Sequence, residues 1–105
     1  MKNITDDMIM AGLKKAIRVF EQIEKLGQSD GKKATALKLL QEVYPTYDFY
    51  NVTVTLSVLQ RQGYIEGLTI EHGTVVEPIL PVITETGRKE IEDKKAALKA
   101  MEGVK

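Results

Sequence analysis

Residues 59–88 read LQRQGYIEGLTIEHGTVVEPILPVITETGR, and the architecture turns on them. Gly63 follows a helical pattern and lets the backbone leave the helix sharply, because glycine enters the left-handed region at little steric cost. Tyr64 and Ile65 can then turn back toward the core. From there to Ile83 the residues are β-branched and apolar, with a turn signal at Glu71-His72-Gly73. The pattern predicts two antiparallel strands, 64–70 and 74–83. Pro78 and Pro81 have no N–H to give a ladder, so the second strand is expected at an edge or only partly paired. Thr84 offers a side-chain oxygen to the free amides of a first helical turn, and Gly87 leaves room for another element to approach that helix.

Upstream, Phe49, Val52, Leu56 and Leu59 recur at steps of three, four and three, the stripe of a core-facing helix predicted over 47–62. Its outward face would carry Tyr50, Val54, Ser57, Val58 and Arg61. Pro45 ends an earlier helix, predicted over 32–44, that turns Ala36, Leu37, Leu40 and Val43 to one side. Ile9, Leu13, Ala16, Phe20 and Ile23 form a longer stripe and predict a first helix over 5–26, with Lys14, Arg18, Gln22 and Lys25 facing water. A last helix is predicted over 84–101, with Ile91, Leu98 and Met101 inward. This order is that of an α+β winged helix-turn-helix. It has a three-helix core, a two-stranded β-hairpin wing over 64–83 and extra N-terminal and C-terminal helices. One domain over 1–105 is expected, since 105 residues leave room for no second core.

Two short motifs resemble known families. Leu59-Gln60-Arg61-Gln62-Gly63-Tyr64-Ile65 resembles the leucine-x-x-x-glycine-tyrosine-isoleucine passage from recognition helix to wing in many winged-helix proteins. Ile83-Thr84-Glu85-Thr86-Gly87-Arg88 resembles the hydrophobe-threonine-x-x-glycine start of the helix after the wing, as in MarR-like and PadR-like regulators. Over most of its length the chain is similar to the YjcQ-like proteins, small winged-helix proteins of Gram-positive bacteria and their prophages. That resemblance implies the winged-helix fold, and it implies no established activity, because a fold does not carry a function.

Composition narrows the function classes. Lys and Arg number 15 and Asp and Glu number 15, so the formal net charge is zero and there is no overall attraction to phosphate. The 24 residues from 64 to 87 hold Glu66, Glu71, Glu77 and Glu85 and no Lys or Arg, which makes the expected wing acidic. No cysteine is present, which excludes disulfides, thiolate metal sites and cysteine nucleophiles and fits a cytoplasmic setting. No apolar run approaches the ~18 residues of a membrane span, and the N-terminus lacks a signal-peptide pattern, so no membrane partner is expected. His72 is the one histidine, at a hairpin tip without companion ligands, and no serine sits in a nucleophile elbow. The chain is expected not to be an enzyme and to need no cofactor and no metal.

Two readings of function remain. In the first, the chain is a small intracellular DNA-binding or transcription-associated protein, for which a prophage is one origin, acting as a homodimer on double-stranded DNA. Lys32 and Lys33 would meet phosphates, and Asn51, Thr53, Ser57 and Arg61 would reach base edges from the 47–62 helix. Against it, Arg61 is the lone cation between Asp48 and Gln62, and the wing tip offers Glu71 where a cation would grip the backbone. In the second, the same scaffold is a protein–protein interaction module with no DNA binding, using the apolar set Tyr50, Val54 and Val58. These three valine and tyrosine positions would instead be core if the helix were rotated about its axis.

Overall fold

A computed structural model describes residues 5–103. Four helices and four short strands follow one another: α1 (Asp6–Gly27), α2 (Lys33–Gln41), α3 (Phe49–Arg61), β1 (Ile65–Glu66), β2 (Thr69–Glu71), β3 (Thr74–Val76), β4 (Val82–Ile83) and α4 (Glu85–Glu102). The class is mixed α+β, and the layout is compatible with a winged-helix arrangement. Three of the four helices begin where the side chain of the N-cap residue meets a free amide. Thr5 accepts from Met8 N at the start of α1, Asp48 from Asn51 N at α3, and Thr84 from Gly87 N at α4. The helix expected over 32–44 stops earlier, at Gln41, and the chain turns through residues 42–44 before Pro45.

The hairpin differs from the two continuous strands expected. β1 pairs with β4 at its base (Ile65↔Ile83, Glu66↔Val82), and β2 with β3 at its tip (Thr69↔Val76, Ile70↔Val75, Glu71↔Thr74), all antiparallel. Between the two ladders Leu68 spends both backbone groups on a side chain: its N–H donates to Gln60 Oε1 at 2.9 Å and its carbonyl accepts from Gln60 Nε2 at 3.1 Å. On the returning arm Pro78 and Pro81 remove ladder donors, and Ile79 N–H donates instead to the Gly31 carbonyl at 2.7 Å. The tip turns through His72 (φ 51°) and Gly73 (φ 76°), a two-residue turn of the kind whose twist matches the strands it joins.

The core joins Phe20, Ile23 and Leu26 of α1 to Leu40, Val52 and Leu56 of α2 and α3 and to Ile65, Val75, Ile79 and Ile83 of the hairpin. Complete burial of such a side chain contributes about 1.5–3 kcal/mol. α1 and α4 run antiparallel, with Glu24 near Arg88 (3.4 Å) at one end and Lys14 near Glu102 (3.9 Å) at the other. The stripe expected along all of α1 is buried only in its second half. Ile9 is 43% exposed and Leu13 and Ala16 are half-buried. Gln22, expected in water, is buried instead. Arg18 remains exposed and donates to the Glu42 carbonyl at 2.6 Å, closing the end of α2.

The two motifs of the sequence meet. Ile65 pairs with Ile83, Thr84 N–H donates to the Tyr64 carbonyl at 3.0 Å, and the Thr84 hydroxyl donates to the Gly63 carbonyl at 2.6 Å. A Cβ on Gly87 would collide with the Tyr64 carbonyl oxygen, so α4 reaches the hairpin base through its lack of a side chain.

Candidate functional site

α3 is fixed at its start by a reciprocal cap. Asp48 Oδ1 accepts from Asn51 N at 2.9 Å, and Asn51 Oδ1 accepts from Asp48 N at 3.0 Å. Asn51, expected to reach a base edge, therefore has its oxygen committed to the helix end. The inner positions Val52 and Leu56 are fully buried, which sets the rotation of the helix. Tyr50 is then 73% exposed, Val54 42% and Val58 40%, one above the other at steps of four. The helix is not rotated to bury them.

Thr53 corrects the sequence reading. Expected among exposed polar residues, it is 4% exposed, because the hairpin folds over that flank of α3. Its Oγ1 is buried without a hydrogen-bond partner, and so is Ser57 Oγ one turn on. A threonine this deep cannot contact a base edge from the helix surface, and the Ser57 hydroxyl is likewise withdrawn. Ile70 on β2 pairs with the buried Val75, so both side chains face α3. Ile70, itself 40% exposed, overhangs Val54 and Val58. Together they form a groove of about 280 Å³, with Thr53 and Ser57 in its floor, Arg61 at one end and Gly73 at the wing tip. The Gln60 amide holds the wing in this position through Leu68, and sequence inspection does not single it out.

The cations expected to meet phosphate are differently engaged. Lys32 and Lys33 are exposed at the start of α2, but the amides there already have carboxylates. Lys33 N–H donates to Glu77 Oε2 at 2.7 Å, and Lys32 N–H to Asp30 Oδ1 at 3.0 Å. Asp30 also accepts from the Thr35 hydroxyl at 2.7 Å, and this bond, with that from Lys32 N–H, holds its carboxyl below the ordinary aspartate value. The Lys33 ammonium lies 5.3 Å from the centre of the Phe49 ring. Arg61 is exposed, and no carboxylate among the described residues pairs with it.

A larger concavity, about 540 Å³, lies between α1 and α4 over Phe20, Ile83 and Ile91. Its rim alternates sign, with Glu24 and Arg88 paired across it, and it holds no histidine, serine or threonine. Beside it Tyr64 packs edge-on against Phe20, and the neighbouring Glu90 carboxylate raises the Tyr64 phenol above its ordinary value by hydrogen bonding and by charge. Among the described residues no group of three or more His, Cys, Asp or Glu could hold a metal, and no helix is long and apolar enough to cross a membrane. No family model, curated protein or solved structure matches the chain.

Proposed function

We propose that the chain is a winged helix-turn-helix domain, with α1 and α4 as its additions, that acts as a non-enzymatic protein-interaction module through the α3–wing face. The observation that carries this reading is the character of that face. The surface a recognition helix would bring to a duplex is an apolar row, Tyr50, Val54 and Val58, continued onto the wing by Ile70. Clustered apolar surface of this kind marks a partner site, and tyrosine is a frequent anchor at such sites. The likeness to YjcQ-like winged-helix proteins fits the scaffold. A cytoplasmic setting fits the absence of cysteine.

The DNA-binding reading keeps one specific support: Arg61 is unpaired on the same face, with Lys32 and Lys33 exposed at the start of α2. The two readings separate in one titration of a labelled mixed-sequence duplex, followed by fluorescence anisotropy at low and moderate salt. A module without phosphate contacts leaves the duplex free at micromolar protein in both buffers. Binding that weakens steeply with salt and disappears in Arg61→Glu overturns the proposal and returns α3 to the major groove.

A further inference from the structure

Resting on the protein-interaction reading, we propose that the occupant of the α3–wing groove is a second copy of this chain, the two α3 helices packing antiparallel with Tyr50 of each copy seated in the groove of the other. The face offers both halves of such a contact. Tyr50 projects from α3 one turn before the groove and lines no part of its own, while the groove stands open beside Val54 and Val58. At about 280 Å³ the groove has room for one large side chain.

The chemistry of the groove matches a phenol. Its walls, Val54, Val58 and Ile70, are apolar, and its floor holds the Thr53 and Ser57 hydroxyls, buried and without partners in a single chain. Thr53 is more than nine-tenths buried, so water does not readily serve it. A tyrosine brings an apolar ring for the walls and one hydroxyl, both donor and acceptor, for the floor.

Charge and spacing fix the orientation. An isologous pair needs a patch complementary to itself under a two-fold axis. With that axis at Val54, Tyr50 stands four residues before it and Val58 four after, so each Tyr50 faces Val58 of the second copy. Asp48 stands six residues before the axis and Arg61 seven after, so each unpaired Arg61 comes level with the start of the other α3, where the exposed Asp48 carboxylate, one oxygen of which caps that helix, supplies opposite charge. Antiparallel helices also set opposite dipole ends side by side. Duplex DNA would meet one cation and an acidic wing tip on the same surface.

The test is sedimentation equilibrium of the wild-type chain, Tyr50→Ala and Arg61→Asp at ~1–200 µM, with circular dichroism on each to verify the fold. The expected result is a concentration-dependent dimer whose dissociation constant rises about tenfold or more in each variant while the helices stay intact. As an independent reading, Tyr50→Trp introduces the lone tryptophan of the chain, and its emission should move to the blue as concentration rises. A wild-type chain that stays monomeric, a dimer indifferent to Tyr50 and Arg61, or a tryptophan that stays solvent-exposed overturns the second-copy assignment. If such a chain also ignores the duplex, the protein-interaction reading survives with another partner; if it binds the duplex, that reading falls as well.

Discussion

Two threonines mark the contrast between the halves of this molecule. At the base of the hairpin, the Thr84 hydroxyl donates to the Gly63 carbonyl and accepts from Gly87 N–H, and Thr84 N–H donates to the Tyr64 carbonyl beside it. On the far side of α3, the Thr53 hydroxyl is more deeply buried and has no partner at all. The difference separates a region whose polar groups are satisfied within the chain from one that is left incomplete. Buried polar groups in folded proteins are nearly always paired, so an unpaired one beside an exposed apolar row points to something the isolated chain lacks. The first region holds the fold together, and the second is where function is to be sought.

The junction can be broken hardest at Gly87. Alanine there would ordinarily strengthen a helix by up to about 1 kcal/mol. Here its Cβ would drive into the Tyr64 carbonyl oxygen and come within 3.0 Å of Ile83 Cγ2, and backbone gives way less readily than a flexible side chain. Gly87→Ala is expected to cost about 3 kcal/mol, read as a fall in Tm on the order of 10–20 °C. A melting temperature unchanged within a few degrees would mean that α4 shifts freely against the hairpin base.

A smaller effect is expected one turn earlier. Thr84→Val keeps the shape and the β-branch but removes the acceptor for Gly87 N–H and the donor to Gly63, for an expected loss of about 1–2 kcal/mol. Urea denaturation should show a lower midpoint at constant slope, and Thr84→Ser, which retains the hydroxyl, should recover most of the loss. Equal losses for the two substitutions would assign the effect to the methyl group instead.

This junction was legible in the sequence because its causes are local. A glycine after a helical stripe, a threonine before the next and a second glycine three residues on are fixed offsets along the chain, and the order of elements needs little more. The outward rotation of Tyr50, Val54 and Val58 was legible from the period of α3. What escaped depends on contacts between distant segments. Thr53 sits on a flank of α3 that the period alone leaves exposed, and it is covered only because the hairpin folds across it. Gln60 looks like a surface residue, yet its amide replaces a strand partner for Leu68 and divides the hairpin in two. The capping role of Asn51 competes with its use as a base reader, and type and spacing alone do not decide between them. The first half of α1 carries a full apolar stripe, yet Ile9 stays exposed and Leu13 and Ala16 are only half-buried.

The finest test of the contrast is the same substitution at the other threonine. Thr53→Val replaces an unpartnered buried hydroxyl by a methyl of similar volume, so no hydrogen bond is lost and the cost of burying a bare hydroxyl is removed. At protein concentrations low enough to hold the chain monomeric, stability should stay level or rise by up to about 1 kcal/mol, opposite in sign to Thr84→Val. Because the groove would then offer the incoming Tyr50 one hydroxyl fewer, the same variant should dimerise more weakly than wild type. A residue held for the fold alone would not move stability and association in opposite directions. A loss of more than about 1 kcal/mol in the dilute chain would mean that the Thr53 hydroxyl is already satisfied, and the distinction between the two sides of α3 would lose its chemical basis.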